Sequence, residues 1–212
     1  MNRNNMKIFE LAYNFSRFFL PPLSLFVHKK ARKLVVERAG NVAFLDVGGR
    51  KSHHTINIPA EVTVTDIPRE SDVQTNLDLG VNDQMIEQLL TRRSNIKKFV
   101  IDDMVDTKLP GESFDVVMAI EVLEHVVEDE KFVSNVCKIL KQGGVFFMTT
   151  PNGDHVPNDN PDHVRHYTRG GLLEVMRKSF EKVEVNYVIY ESKSYFRSLN
   201  SWSVKHPLRT IT

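Results

Sequence analysis

Acidic residues close a succession of apolar runs in this chain. Asp46 follows Val42-Ala43-Phe44-Leu45, Asp66 follows Val62-Thr63-Val64-Thr65, Asp102 and Asp103 follow Phe99-Val100-Ile101, and Glu121 follows Phe114 to Ile120. Carboxylates so placed can accept hydrogen bonds from the hydroxyls and amino groups of a ligand lying at the ends of buried strands. Gly48-Gly49, just past Asp46, let the backbone approach such a ligand, and Asp66, twenty residues after Asp46, stands at the distance suited to the two hydroxyls of a ribose. Histidines supply a second chemistry. His125, in Glu124-His125, and His163 and His166, in Asp162-His163-Val164-Arg165-His166-Tyr167, carry imidazole, a group whose unperturbed pKa lies near neutrality and which suits a general base acting on a hydroxyl. The same residues also read as a helix start and as a hydrogen-bonded loop that positions the following helix. His53, His54, His155, His163 and His166, with Asp154, Asp159 and Asp162, show no metal-ligand spacing, so no metal is expected.

The elements that must position these groups alternate. Residues 42–47, 62–66, 99–103, 114–120, 145–150 and 183–190 read as strands. Residues 83–93, 128–141 and 169–179 read as helices, with Gly143-Gly144 as the stop of the second. This alternation predicts a three-layer, doubly wound α/β fold around a mostly parallel sheet, because parallel neighbours need crossovers that helices provide. In such sheets the carboxyl ends of the strands share one crevice, where Asp46, Asp66, Asp103 and Glu121 would meet.

The chain has 212 residues, with 28 Lys and Arg against 27 Asp and Glu, and one cysteine, Cys137. That composition is of an ordinary globular protein; a lone Cys on an apolar helix face excludes a disulfide scaffold and reads as a packed, inert thiol. The first 38 residues differ, holding eight Lys and Arg against two Glu. Two helical pieces, about 5–19 and 23–38, are expected there, broken at Pro21-Pro22. The apolar stretch between the charges is too short to span a bilayer and lacks a signal-peptide cleavage site. Two readings stand: a cap that covers the domain, or peripheral membrane contact through residues 18–33, with Phe18, Phe19, Leu23, Leu25 and Phe26 in the interface and Lys29 to Lys33 on anionic lipid. The expected organisation is a segment over 1–38, a ligand-binding domain over 39–191 and a tail over 192–212, in a cytoplasmic, optionally membrane-associated protein.

Five segments, in order, resemble the class I S-adenosylmethionine-dependent methyltransferases, in particular the small-molecule branch related to ubiquinone and menaquinone biosynthesis. They are Leu45-Asp46-Val47-Gly48-Gly49, Asp103 to Pro110 leading into Ser113 to Val117, Glu121-Val122-Leu123-Glu124-His125-Val126, Leu140 to Phe146, and Asp162 to Thr168. The resemblance implies S-adenosylmethionine as cofactor and a small-molecule or lipid-linked acceptor. It implies that Asp46, Gly48 and Gly49 hold the amino-acid end of the cofactor, Asp66 the ribose, Asp103 and Met104 the adenine, and that Glu121 lies near the reacting methyl, with His125, His166 and His163 as catalytic candidates. The chain departs from the family where a glycine-rich loop is usual, since Arg50-Lys51-Ser52-His53-His54 follows Gly49. Three alternatives remain at this point. A nicotinamide-dependent oxidoreductase lacks the third glycine of its motif and a Tyr-x-x-x-Lys pair, and a nucleic-acid methyltransferase lacks an Asn-Pro-Pro-type motif at Thr150-Pro151-Asn152-Gly153. A non-catalytic relative would account for the irregular loop.

Overall fold

Apolar residues at alternate positions send each strand's side chains to two covered faces, and the computed structural model shows those faces filled from different parts of the chain. It describes residues 7–16, 20–72, 74 and 80–188. Along the chain these form α1 (Ile8–Ser16), α2 (Pro22–Val36), β1 (Ala43–Val47), β2 (Glu61–Asp66), α3 (Asp83–Arg92), β3 (Ile96–Ile101), β4 (Phe114–Ile120), α4 (Asp129–Ile139), β5 (Leu140–Thr149) and α5 (Arg169–Arg177). All four strand pairings are parallel, in the order β3-β2-β1-β4-β5. Chain order therefore reverses between β1 and β4, which places the ligand crevice of a doubly wound sheet there.

On one face Phe44, Val62, Val64, Val116 and Met118 pack with Val27, Ala31 and Val35 of α2. On the other, Leu45, Val47, Val117 and Ala119 pack with Phe132, Val133, Val136 and Ile139 of α4 and with Met176 of α5. The spacing of Val27, Ala31 and Val35 is one apolar helical stripe. Pro22 opens α2 at a position where a missing N–H costs nothing. Between β1 and β2 the chain makes a short 3-10 turn, Gly49–Lys51, and then an irregular segment in which Thr55, Ile56 and Ile58 are buried. Helix α2 covers this part of the sheet.

Several boundaries differ from expectation. The helix expected over 128–141 ends at Ile139, and Leu140 already has extended backbone (φ −73°, ψ 137°). Gly143-Gly144 therefore lie inside β5, where the register with β4 shifts between Phe114 and Val116 and Gly143 takes a positive φ of 75°. The glycines serve a bulge, not a helix cap. The third strand starts at Ile96, and Asp102 and Asp103 lie just beyond its end. The expected sixth strand is not formed over 183–188, and its last two residues lie outside the described residues. Phe18, Phe19 and the tail 192–212 also lie outside them. Among the described residues no helix is long and apolar enough to cross a membrane.

Candidate active site at the carboxyl ends of the strands

At the end of β1 the chain turns on Gly48, whose φ is 65° and where a Cβ would lie 2.9 Å from Val122 Cγ2. Gly49 sits against Asp46 so closely that a Cβ would come within 2.6 Å of its Cγ. Asp46 itself is buried and accepts from Thr55 Oγ1 at 3.2 Å. Burial pushes its carboxyl up to about 6, against the opposing pull of Ser52, Arg93 and Thr55. Arg93, also buried, donates to Thr55 Oγ1 (2.7 Å) and to the Ser52 carbonyl (3.0 Å), while Asn95 donates to the Thr55 carbonyl (2.6 Å). Asp46 thus faces the interior of the loop and shapes it, while the backbone at Gly48 is exposed to the crevice. The His53 and His54 rings lie 4.3 Å apart, tilted by 44°, and burial, then His53, drives His54 down to about 3, so it is neutral at physiological pH.

Asp66, at the end of β2, accepts from the Ile67 N–H at 2.9 Å. Burial raises its pKa, and the backbone N–H groups of Ile67 and Arg50, with the Arg50 and Lys51 charges, oppose the rise. The basic side chains that replace the usual glycines thus lie toward Asp66. Asp103 is exposed past β3 and accepts from the Val105 N–H at 2.9 Å. Met104 is only 3% exposed and packs into the α4-side core, so its side chain is not displayed on the crevice surface.

Past β4 the backbone reverses at Glu121, a non-glycine residue with φ 53°, whose N–H donates to the Thr149 carbonyl (3.1 Å) and whose Oε1 accepts from Thr149 Oγ1 (2.7 Å). Such a left-handed position costs on the order of 1 kcal/mol for a residue with a Cβ and persists where surroundings dictate it. The next residues form a 3-10 turn, Leu123–His125. In it Glu124 is wholly buried, with neither carboxyl oxygen hydrogen-bonded. Burial, then the Glu121 carboxylate, pushes Glu124 up to about 8; the Thr150 hydroxyl opposes this but falls outside hydrogen-bond geometry.

The segment 163–167 folds back over this turn. Val164 N–H donates to the Glu124 carbonyl (2.8 Å), Tyr167 Oη donates to Asp129 Oδ2 (2.6 Å), and Arg165 bridges Asp129 and the Val127 carbonyl. Arg165 and Tyr167 are therefore the struts of this loop. They carry the histidines inward: His125 and His163 meet edge to face at 4.6 Å, and His163 Nδ1 lies 2.7 Å from His166 Nε2. The structure brings the three expected histidines together beside Glu121. Sequence reasoning took Glu124 only as part of a helix start and gave no role to Thr149 or to the Thr55–Arg93 pair behind Asp46; the Glu121-x-x-Glu124-His125 spacing could have flagged the first of them.

Residues 45–148 match the methyltransferase domain family. The ubiquinone biosynthesis O-methyltransferase of Methylobacterium nodulans is 55% identical over 42 residues, 20% of this chain and 17% of that protein. The mitochondrial ubiquinone biosynthesis O-methyltransferase of Homo sapiens is 32% identical over 80 residues, 38% of this chain and 21% of that protein. The match thus spans about a fifth of the length of these curated relatives. Among solved structures, 1,6-didemethyltoxoflavin-N1-methyltransferase of Burkholderia thailandensis, with 1,6-didemethyltoxoflavin and S-adenosylhomocysteine bound, aligns at TM-score 0.54 and 17% identity, covering 72% of this chain and 66% of that one. The [4+2]-cyclase SpnF aligns at 0.51 and 24%, covering 71% and 55%. At these identities the structures speak for the fold, and the cyclase illustrates that this fold serves more than one reaction. The domain match, the run of curated methyltransferase relatives and the parallel sheet with its row of strand-end carboxylates together mark residues 45–148 as a methyltransferase domain similar to those of S-adenosylmethionine-dependent methyltransferases.

Proposed function

We propose that the protein transfers a methyl group from S-adenosylmethionine to a small-molecule or lipid-linked acceptor by in-line displacement. One observation carries the reading: four neighbouring strands, β3-β2-β1-β4, end side by side in Asp103, Asp66, the Gly48 turn and Glu121. The donor chemistry fits the cofactor. Asp66 accepts from the ribose hydroxyls, Asp103 from the adenine amino group with Met104 behind it, and the exposed Gly48 backbone, shaped by Asp46 and Gly49, receives the amino-acid end. When bound, the cofactor supplies a carbon already activated toward attack. The protein's own task is then alignment, exclusion of water and removal of the acceptor proton. Glu121 stands nearest the acceptor side, and His125, His163 and His166 line the position from which a base would act. Calorimetric titration with S-adenosylmethionine and S-adenosylhomocysteine tests this. Micromolar binding that Asp66→Ala weakens at least about 100-fold supports it, and absence of binding to both compounds overturns it.

The amino-terminal helices favour an acceptor presented at a lipid surface. Ile8 is 86% and Phe15 80% exposed, Leu11 shares their face of α1, and Leu25 and Phe26 of α2 are also exposed. Lys29, Lys30, Arg32 and Lys33 are exposed nearby in sequence. An apolar helix face with a basic flank suits the interface of an anionic membrane. In this reading residues 1–38 form the acceptor-side cap of a cytoplasmic protein that docks on membranes. Co-sedimentation with phosphatidylglycerol-containing but not with purely zwitterionic vesicles is expected, and Ile8→Ser with Phe15→Ser should reduce it severalfold. Equal recovery with both vesicle types would remove the membrane role.

A further inference from the structure

S-adenosylmethionine is a cation at sulfur and a zwitterion at its amino-acid end, so a site for it has to meet a carboxylate as well as positive charge. The strand ends of this crevice serve the positive charge. Asp66, Asp102, Asp103 and Glu121 stand there in a row, and an acidic row repels the ligand's own carboxylate. Cations past the outer strands are engaged elsewhere: Lys108 Nζ lies 2.8 Å from Asp106 Oδ2, and Arg69 Nη2 donates to the Gly80 carbonyl at 3.2 Å. Arg93 is buried and donates to Thr55 and Ser52.

The turn after β1 differs. Val47 pairs with Thr65 in the parallel register, so the residues that follow them, Gly48 and Asp66, leave the sheet side by side. Gly48 then takes the chain through a left-handed backbone (φ 65°, ψ 20°) into the 3-10 turn Gly49–Lys51, which the Ser52 N–H closes on the Gly49 carbonyl at 3.0 Å. This turn packs on β2. The Arg50 N–H donates to the Asp66 carboxylate, and the Arg50 and Lys51 charges act on the same group. Arg50 is half-buried and Lys51 exposed. Two cations therefore stand two and three residues past Gly48, where the amino-acid end of the cofactor is received, and beside Asp66, where its ribose is received.

Resting on the methyl-transfer reading above, we propose that Arg50 and Lys51 are the counter-ions of the cofactor's α-carboxylate and make the site select adenosyl ligands that carry this group. The planar guanidinium of Arg50 matches a carboxylate with two parallel N–H donors, and the exposed Lys51 adds a point charge. Asp66 reads the ribose, and the two cations next to it read the acid.

The test is calorimetric titration of the full chain with S-adenosylhomocysteine and with its decarboxylated analogue, which keeps the adenine, ribose, sulfur and amine. The proteins are the wild type, Arg50→Gln combined with Lys51→Gln, and Asp66→Ala. The wild type is expected to prefer S-adenosylhomocysteine by at least about tenfold, a preference that shrinks as NaCl is raised toward about 0.5 M. The double variant should lose at least about tenfold for S-adenosylhomocysteine while binding the decarboxylated analogue within about twofold of wild type. Asp66→Ala should weaken both ligands alike. Far-UV circular dichroism reports whether each variant is folded. A wild type that binds both ligands equally, or a folded double variant that keeps the preference, overturns the assignment and leaves the methyl-transfer reading in place. Binding of neither ligand to the wild type overturns that reading, and the assignment with it.

Discussion

The two loops that rim the crevice at the reversal of chain order handle buried polar groups in opposite ways. After β1, Asp46, Thr55, Arg93 and Asn95 engage one another and the Ser52 carbonyl. After β4, Glu124 is buried just as fully, but neither of its carboxyl oxygens is hydrogen-bonded among the described residues. At the centre of the first loop the carboxylate, hydroxyl and amide are spent on its own shape, while Arg93 Nε, His53 Nε2 and His54 Nδ1 around them carry no hydrogen bond among the described residues. The second keeps its side chains in reserve. A network of satisfied partners rigidifies, whereas unsatisfied buried groups persist where something else is to meet them. The comparison also explains how a loop that departs from the glycine-rich pattern can still serve the same crevice: Gly48 and Gly49 stand where backbone must pass close to Val122 and Asp46, and the bulkier residues begin only afterward.

The contrast can be broken by substitution. Arg93→Ala should have the largest effect, about 3–5 kcal/mol of stability in urea denaturation, because it strands Asp46 and Thr55 without their buried partner. A loss below about 1 kcal/mol would show that the first loop is not held by this network. Next comes pH. The Asp46 carboxyl sits at about 6 in the folded state against 3.8 for the unfolded group, so the folded state holds the proton longer and stability falls as pH rises through this window. Asp46→Asn keeps a neutral acceptor for Thr55 and removes that slope. Relative to wild type it should gain about 2–3 kcal/mol between pH 4 and pH 7, read from paired thermal melts. Gly48→Ala, forced into a positive φ against Val122, should cost about 1–2 kcal/mol and weaken cofactor binding together with it. The smallest effect sharpens the comparison most. Glu124→Gln should leave stability within about 1 kcal/mol of wild type at neutral pH, since a carboxyl pushed up to about 8 is already uncharged there and the amide keeps its shape. A loss as large as that of Arg93→Ala would mean that Glu124 has a structural partner after all.

Most of the sheet was readable before folding was considered. Val42 to Val47, Val62 to Asp66 and Phe114 to Ile120 are unbroken or alternating apolar stretches whose period belongs to strands, and each ends at or next to a residue predicted to face the crevice. The element limits that went astray were those where period and punctuation disagree. Gly143-Gly144 carries the signature of a helix stop, but here the pair sits inside β5, because the pairing with β4 needs a bulge at that point. Residues 183–188 alternate as a strand does, yet they lie in no strand of the sheet.

The sequence by itself determined the succession of strands along the chain, the carboxylates at their ends and the histidines available to them, because those depend on neighbours along the chain and on a period of two or 3.6 residues. Only the tertiary structure decided that Glu124 is sealed from water, that His163 Nδ1 and His166 Nε2 share a hydrogen bond, and that Asp46 looks inward to Thr55 while Gly48 looks outward. Each of those depends on a contact made across the fold: Asp129 with Tyr167, 38 residues apart, and Arg93 with Thr55, also 38 apart. A buried polar group takes its character from what packs against it, and that partner is chosen by the folded surface, not by spacing along the chain.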